Sequence, residues 1–273
     1  MEIIITEEEV ALLQHDLFEK YGYDFRNYSL ASLQRRIQRL VALDRFRSFA
    51  EFRYVLQNDP YYLKRFVEEV TVNVTEMFRD PPFYQFLRTQ VLPALSGLPL
   101  IRVWHAGCAT GEEVFSLAIL LKEAGLLHKS LLYATDLNPA VVQKAMTGVF
   151  PLQQMRLYSA NYLRAGGRQD FSAYYSAKYN VAKFDESLRH KMIFATHNLV
   201  SDRSFHEFQL ILCRNVLIYF DQQLQAKVLD TFDRSLEVLG FLALGARETL
   251  RFSSLASRYK EFSSGQKIWR KIS

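Results

Sequence analysis

Cysteine is nearly absent. The 273-residue chain has two, Cys108 and Cys213, too few for a disulfide framework, so a reducing cytoplasm is the expected compartment. Long apolar runs are missing too. No stretch approaches the roughly 18 apolar residues of a membrane span. The amino terminus, with Glu2, Glu7, Glu8 and Glu9, is acidic where a secretory signal would be basic. A soluble protein without membrane insertion is expected. The six histidines show no His-x-x-x-His or similar ligand spacing, so no metal is expected. No repeat, heptad or low-complexity tract is visible. A nucleic-acid partner is not expected either. Asp80-Pro81-Pro82-Phe83 superficially resembles an element of amino-directed nucleic-acid methyltransferases, but it follows a helical region and reads as a helix start, Asp80 the cap and Pro81 the first position.

What is present is one large core's worth of apolar residues, 49% of the chain, and a net charge of +5. The charge is unevenly placed: residues 26–53 hold seven arginines against Asp44 and Glu51. Thr6 with Glu9 forms a capping box, and Val10, Leu12, Leu13, Leu17 and Phe18 follow at roughly helical spacing. A helix over 29–43 puts Leu30, Leu33, Ile37, Leu40 and Val41 on one arc and Arg35, Arg36 and Arg39 on the other, as a solvent-facing stripe. Helical patterns continue through 48–57, 60–72 and 80–92, with no strand signal before residue 100.

From residue 100 strands and helices alternate, which marks a doubly wound α/β sheet. Strands are expected at 100–104, 131–135, 192–195, 208–213, 239–244 and 266–272, and helices at 112–124, 138–146 and 221–237. The tyrosine-rich stretch between 150 and 190 suits a small inserted subdomain better than another crossover helix.

Residues 100–113, Leu-Ile-Arg-Val-Trp-His-Ala-Gly-Cys-Ala-Thr-Gly-Glu-Glu, read as a strand, a glycine-containing turn and a helix start. Gly107 and Gly111 supply the backbone freedom that a ligand-cradling turn requires. Glu112 and Glu113 would repel a pyrophosphate at the helix start, whereas they would attract a free amino group and a sulfonium. The loop therefore argues against a dinucleotide and for S-adenosylmethionine. Asp136, after Leu131–Thr135, either accepts two ribose hydroxyls or caps the helix opening near Asn138-Pro139. In company with the loop, the nucleoside reading is favoured. Cys108 and Cys213 are read as small apolar fillers rather than nucleophiles.

Five segments together resemble the CheR family of chemotaxis receptor methyltransferases: Asn73-x-Thr75-x-x-Phe78-Arg79, Ala106-Gly107-Cys108-x-Thr110-Gly111-Glu112-Glu113, Thr135-Asp136, Asn198-Leu199 and Cys213-Arg214-Asn215-Val216-Leu217-Ile218-Tyr219-Phe220. The resemblance spans nearly the whole chain. It implies a Rossmann-like class I methyltransferase sheet, with a small all-α amino-terminal domain that docks receptors (1–75), a linker and connecting helix (76–99), and a cofactor-binding domain (100–273) with an inserted antiparallel β subdomain at about 152–190. The implied activity is transfer of a methyl group from S-adenosylmethionine to glutamate side chains on cytoplasmic helices of bacterial chemoreceptors, with S-adenosylhomocysteine as product. Cofactor contacts carried over by motif are Asn73, Thr75, Arg79, Ala106, Gly107, Glu113, Asp136, Asn198, Leu199, Arg214 and Asn215. Arg79 and Tyr219 match positions nearest the transferred methyl, and Arg35, Arg36 and Arg39 become a docking face for acidic receptor helices. In some members the inserted subdomain grips a carboxyl-terminal receptor peptide, and residues 155–190 match the family least. A monomer is expected. Two other readings stay open: a non-catalytic module that senses the cofactor, and a methyltransferase for another substrate.

Overall fold

The computed structural model describes residues 3–273 apart from 24, 27, 71–74 and 203. The chain divides into two units, Met1–Asn73 with Val216–Val228, and Val74–Asn215 with Leu229–Ser273.

In the first unit, four helices form where apolar residues recur at helical spacing: α1 (Glu7–Tyr21), α2 (Leu30–Leu43), α3 (Phe49–Asn58) and α4 (Pro60–Val70). Thr6 and Glu9 close the capping box reciprocally, at 3.2 and 2.9 Å. Val10, Leu13, Ile37, Leu40, Phe52, Leu56 and Phe66 are buried between the helices. The arginine stripe on α2 is split. Arg35 and Arg39 are exposed, but Arg36 is half-buried, its guanidinium 4.7 Å from the centroid of the Tyr219 ring and donating to the Val70 carbonyl. The reason is position: Arg36 lies three residues from Leu33 and four from Leu40, at the border of the apolar arc.

The second unit opens with α5 (Pro81–Phe86), which continues through a π turn at Leu87–Val91 into α6 (Leu92–Leu95). Pro93 has no N–H to give to the preceding turn, and the wider turn accommodates that loss. Asp80 does not cap α5. Its backbone is left-handed (φ 59°) and its carboxylate accepts from Arg214 at 2.6 Å instead.

The sheet follows. Its strands are β1 (Ile101–Ala106), β2 (Ser130–Asp136), β6 (Met192–Thr196), β7 (Phe208–Cys213), β8 (Leu236–Leu244), β9 (Tyr259–Ser263) and β10 (Ile268–Lys271). The order is β6-β2-β1-β7-β8-β10-β9, parallel from β6 to β8, with β10 antiparallel to both neighbours. Helices α7 (Glu112–Glu123), α8 (Pro139–Thr147) and α11 (Gln222–Ser235) fall where periodicity places them. β9 had no sequence signal, because a charged edge strand, Tyr-Lys-Glu-Phe-Ser, lacks the apolar run of a central one.

The insertion holds a three-stranded antiparallel sheet, β3 (Val149–Pro151), β5 (Val181–Phe184) and β4 (Tyr175–Lys178), and two helices, α9 (Met155–Arg164) and the short α10 (Glu186–Arg189). The ten-residue α9 was not expected there. It buries Met155, Tyr158 and Tyr162, so the tyrosines that obscured the helical period are its packing face. No described helix is long and apolar enough to cross a membrane.

Candidate active site

Strand order reverses at β1, with β2 and β6 on one side and β7 and β8 on the other. In open α/β sheets a ligand crevice lies at the carboxyl ends of the strands at such a point. There the chain leaves Ala106 and turns through Gly107 (φ 86°), Ala109 (φ 47°) and Gly111 (φ 97°) before α7. The amides of Gly107 and Cys108 both donate to the Thr135 carbonyl, at 2.8 and 2.9 Å. A Cβ on Gly111 would stand 3.0 Å from that of Ala145, so the loop lies against α8 as closely as glycine permits.

Asp136 ends β2 and organises this loop. Its carboxylate accepts from the amides of Ala109 (2.9 Å) and Asn138 (3.0 Å), while Asn138 itself caps α8 by accepting from Ala140. Burial pushes the Asp136 carboxyl up, against the opposing pull of those amides. The Asp136 carbonyl accepts from His197, which draws the turn carrying Asn198 and Leu199 to the same strand ends. The Asn198 side chain holds Val200 N at 2.9 Å, and Leu199 is buried.

The two adjacent glutamates diverge completely. Glu112 is buried beneath the loop, taking the Thr110 hydroxyl at 2.6 Å and that of Tyr158 at 3.4 Å, and burial raises its carboxyl. Glu113 is half-buried between His105 Nδ1 (2.9 Å) and Arg214 Nη1 (3.5 Å). Burial alone would raise its carboxyl, but the hydrogen bond and charge of His105, then Arg214, hold it below the ordinary range. Glu113 is therefore the ionised carboxylate of the crevice.

Arg214 binds two more parts of the site together. Its side chain is 4% exposed, its guanidinium lies 3.9 Å from the Phe83 centroid, and it donates to the Arg79 carbonyl at 3.4 and 3.5 Å. Phe78 (φ 53°) and Asp80 (φ 59°) bracket Arg79 in left-handed backbone that non-glycine residues adopt only under constraint. Ser116 and Asn161 supply it, bonding Phe78 N (2.9 Å) and the Met77 carbonyl (3.1 Å). Asn215 (φ 61°) is held by its amide to Glu248 at 3.1 Å, and a Cβ on Gly245 would meet that same nitrogen at 2.7 Å.

Ala106, Gly107, Glu113, Asp136, Asn198 and Leu199 thus gather at the ends of β1, β2 and β6, and Arg79, Arg214 and Asn215 form a bonded set reaching Glu113. Thr75 is half-buried just before Met77. Asn73 lies outside the described residues. Tyr219 belongs to the first unit, where its ring meets Arg36 and its carbonyl accepts from Ser29 at 2.7 Å. Sequence reasoning missed His105, Ser116, Tyr158 and Glu248. His105 had a signal: it is an ionisable residue inside an apolar strand. Both cysteine thiols are buried and pushed far up, which removes them as nucleophiles. Among the described residues no cluster of His, Cys, Asp and Glu could hold a metal ion.

The model of the CheR methyltransferase SAM-binding domain matches residues 73–267, and that of the all-alpha CheR methyltransferase domain matches residues 8–71. The chain belongs to the CheR methyltransferase family. A Pseudomonas putida protein bearing the methyltransferase name Cher3 is 46% identical over 268 residues, 97% of each chain. The chemotaxis protein methyltransferase of Listeria monocytogenes is 32% identical over 232 residues, 84% of this chain and 85% of that one. The one from Borreliella burgdorferi is 27% identical over 265 residues, 92% and 91% of the two chains. The cofactor of this CheR methyltransferase is S-adenosylmethionine, and the crevice suits it. An ionised carboxylate at the start of α7 fits an ammonium group and would reject a phosphate, and a second carboxylate at the end of β2 retains acceptor capacity for hydroxyls.

Proposed function

We propose that this CheR methyltransferase methylates glutamate side chains on cytoplasmic helices of chemoreceptors, producing glutamyl methyl esters and S-adenosylhomocysteine. The observation that carries this reading is what surrounds the crevice. It offers charged and hydrogen-bonding groups to orient ligands, but its thiols are held protonated and His105 is committed to Glu113. A crevice whose thiols stay protonated and whose buried histidine faces Glu113 suits a nucleophile that arrives ionised, and a glutamate carboxylate with an ordinary pKa of about 4.3 does so at neutral pH.

When bound, S-adenosylmethionine supplies an electrophilic methyl on a sulfonium. The protein's part is alignment and exclusion of water. In this reading Glu113 meets the cofactor's amino group and Asp136 the ribose, with Asn198 and Leu199 at the adenine. Asn73, Thr75, Ala106, Gly107, Arg214 and Asn215 complete the cofactor site, and Arg79 and Tyr219 are assigned to the methyl transfer by the family resemblance. The exposed Arg35 and Arg39 dock the acidic receptor helix in the cytoplasm, Arg36 being engaged by Tyr219 and Val70. If this chain takes a receptor's carboxyl-terminal peptide, as some family members do, the inserted subdomain is the site for it.

Incubation with methyl-labelled cofactor and receptor-containing membranes tests this directly. Label on the receptor band that mild base releases as volatile methanol is the expected result. Base-stable label would assign another substrate, and cofactor binding with no receptor label would assign a sensing module.

A further inference from the structure

β1 is an apolar strand with one ionisable residue in its interior row. His105 is paired in register with Ala134 on β2 and Leu212 on β7, and its side chain is wholly buried. An imidazole so placed costs free energy that an apolar residue would not. Its polar contact is a single one, Nδ1 to Glu113 Oε1 at 2.9 Å, and among the described residues Nε2 has no partner. Facing a carboxylate, Nδ1 carries the hydrogen, so in the neutral ring Nε2 is a bare acceptor with nothing to accept. Packing does not account for that arrangement, and neither does a buried network. What the ring does is hold one oxygen of Glu113.

The other oxygen lies 3.5 Å from Arg214, and the carboxylate keeps 17% of its side chain exposed. A glutamate in the first turn of a helix ordinarily samples several rotamers. Held from two sides, Glu113 presents its remaining lone pairs in one orientation before any ligand arrives.

We propose that His105 is a positioning residue for the amino group of S-adenosylmethionine, acting through Glu113. The inference rests on the reading above that Glu113 meets that group. The ligand atoms His105 serves are then confined to the amino-acid half of the cofactor, which separates this role from general support of the fold.

Calorimetric titration with two ligands tests it: S-adenosylhomocysteine, which has the amino acid, and 5′-methylthioadenosine, which keeps the adenosine and thioether without it. His105→Leu removes the donor, His105→Asn returns an N–H near the place of Nδ1, and His105→Gln puts its amide near the place of Nε2. Loss of a hydrogen bond to a charged group corresponds to roughly 10- to 100-fold in affinity. S-adenosylhomocysteine binding should fall by about that factor in His105→Leu and His105→Gln and recover in His105→Asn, with methylthioadenosine unchanged throughout. In a Glu113→Gln background, His105→Leu should cost nothing further. Equal weakening of both ligands, or no difference between His105→Asn and His105→Gln while Glu113→Gln still discriminates the ligands, would overturn the role of His105. If Glu113→Gln weakens both ligands alike or neither, the assignment of Glu113 falls, and the role of His105 with it.

Discussion

At the first turn of α7, Glu113 shares its carboxylate between His105 at 2.9 Å and Arg214 at 3.5 Å and stays 17% exposed. At the last turn, Glu123 is 5% exposed, with Arg88 Nη1 2.5 Å from one oxygen and the hydroxyls of Tyr162 and Tyr174 on the other. Both carboxyls sit below the ordinary range: burial raises each, and their partners outweigh it. The helix dipole separates them. It favours a negative charge at the amino end and opposes one at the carboxyl end, so Glu123 needs more partners to stay ionised. Tyr162 also accepts from the amides of Arg168 and Gln169, and its ring lies where a Cβ on Gly167 would be, 2.3 Å from ring carbon. The cluster joins the π turn after α5, the end of α7 and the inserted subdomain. An arginine–glutamate pair buried between packed elements holds those elements together, and one left open at an edge is equipped to take a ligand.

Three substitutions would break or sharpen that contrast. Glu113→Gln should have the largest effect, raising the dissociation constant for S-adenosylhomocysteine about 100-fold or more, because a desolvated ammonium loses its counter-charge. Calorimetry reads it, and a change under about threefold would remove Glu113 from the site. Glu123→Gln should instead lower stability by about 3 kcal/mol, or melting by roughly 6–12 °C, with cofactor affinity unchanged. Its pH dependence has a definite sign. A folded pKa below the unfolded value contributes stability above about pH 4.3 that is lost as pH falls through the folded value. Melting temperatures of wild type and Glu123→Gln should therefore draw together as pH falls below about 4.3, and a gap that stayed constant on acidification would show that Glu123 acts by packing alone.

Glu112→Gln should do least. The raised carboxyl of Glu112 means that the folded state disfavours its charge at neutral pH, a penalty that lifts as pH falls. A neutral isostere still accepts from Thr110 and faces Tyr158, so melting at pH 8 should hold or rise by about 1–3 °C with cofactor affinity intact. Weakening comparable to Glu113→Gln would erase the distinction between the neighbours.

Legibility followed the range of the interaction. The capping box at Thr6, the helices of the first unit and the strands β1, β2 and β7 rest on local periodicity, and they stand close to where the pattern puts them. The glycine turn and Asp136 were readable because their spacing is contiguous. Asp80 misled because a cap-like residue before two prolines looks the same whether its carboxylate turns to its own helix or to Arg214, 134 positions away. Arg36 misled at the edge of an arc, where one side chain can turn either way. Glu248 had no local sign at all, since its task is to hold the backbone of Asn215.

The sequence by itself determined the class of ligand and the family, because both lie in short ordered motifs whose backbone requirements and charges are local. The motif resemblance pointed to Glu113 rather than Glu112 without a physical reason for the choice. The tertiary structure supplied that reason: consecutive residues on a helix point about 100° apart, so one met the Thr110–Tyr158 cover and the other met His105 and Arg214. Burial then raised one carboxyl, and the partners of the other kept it ionised.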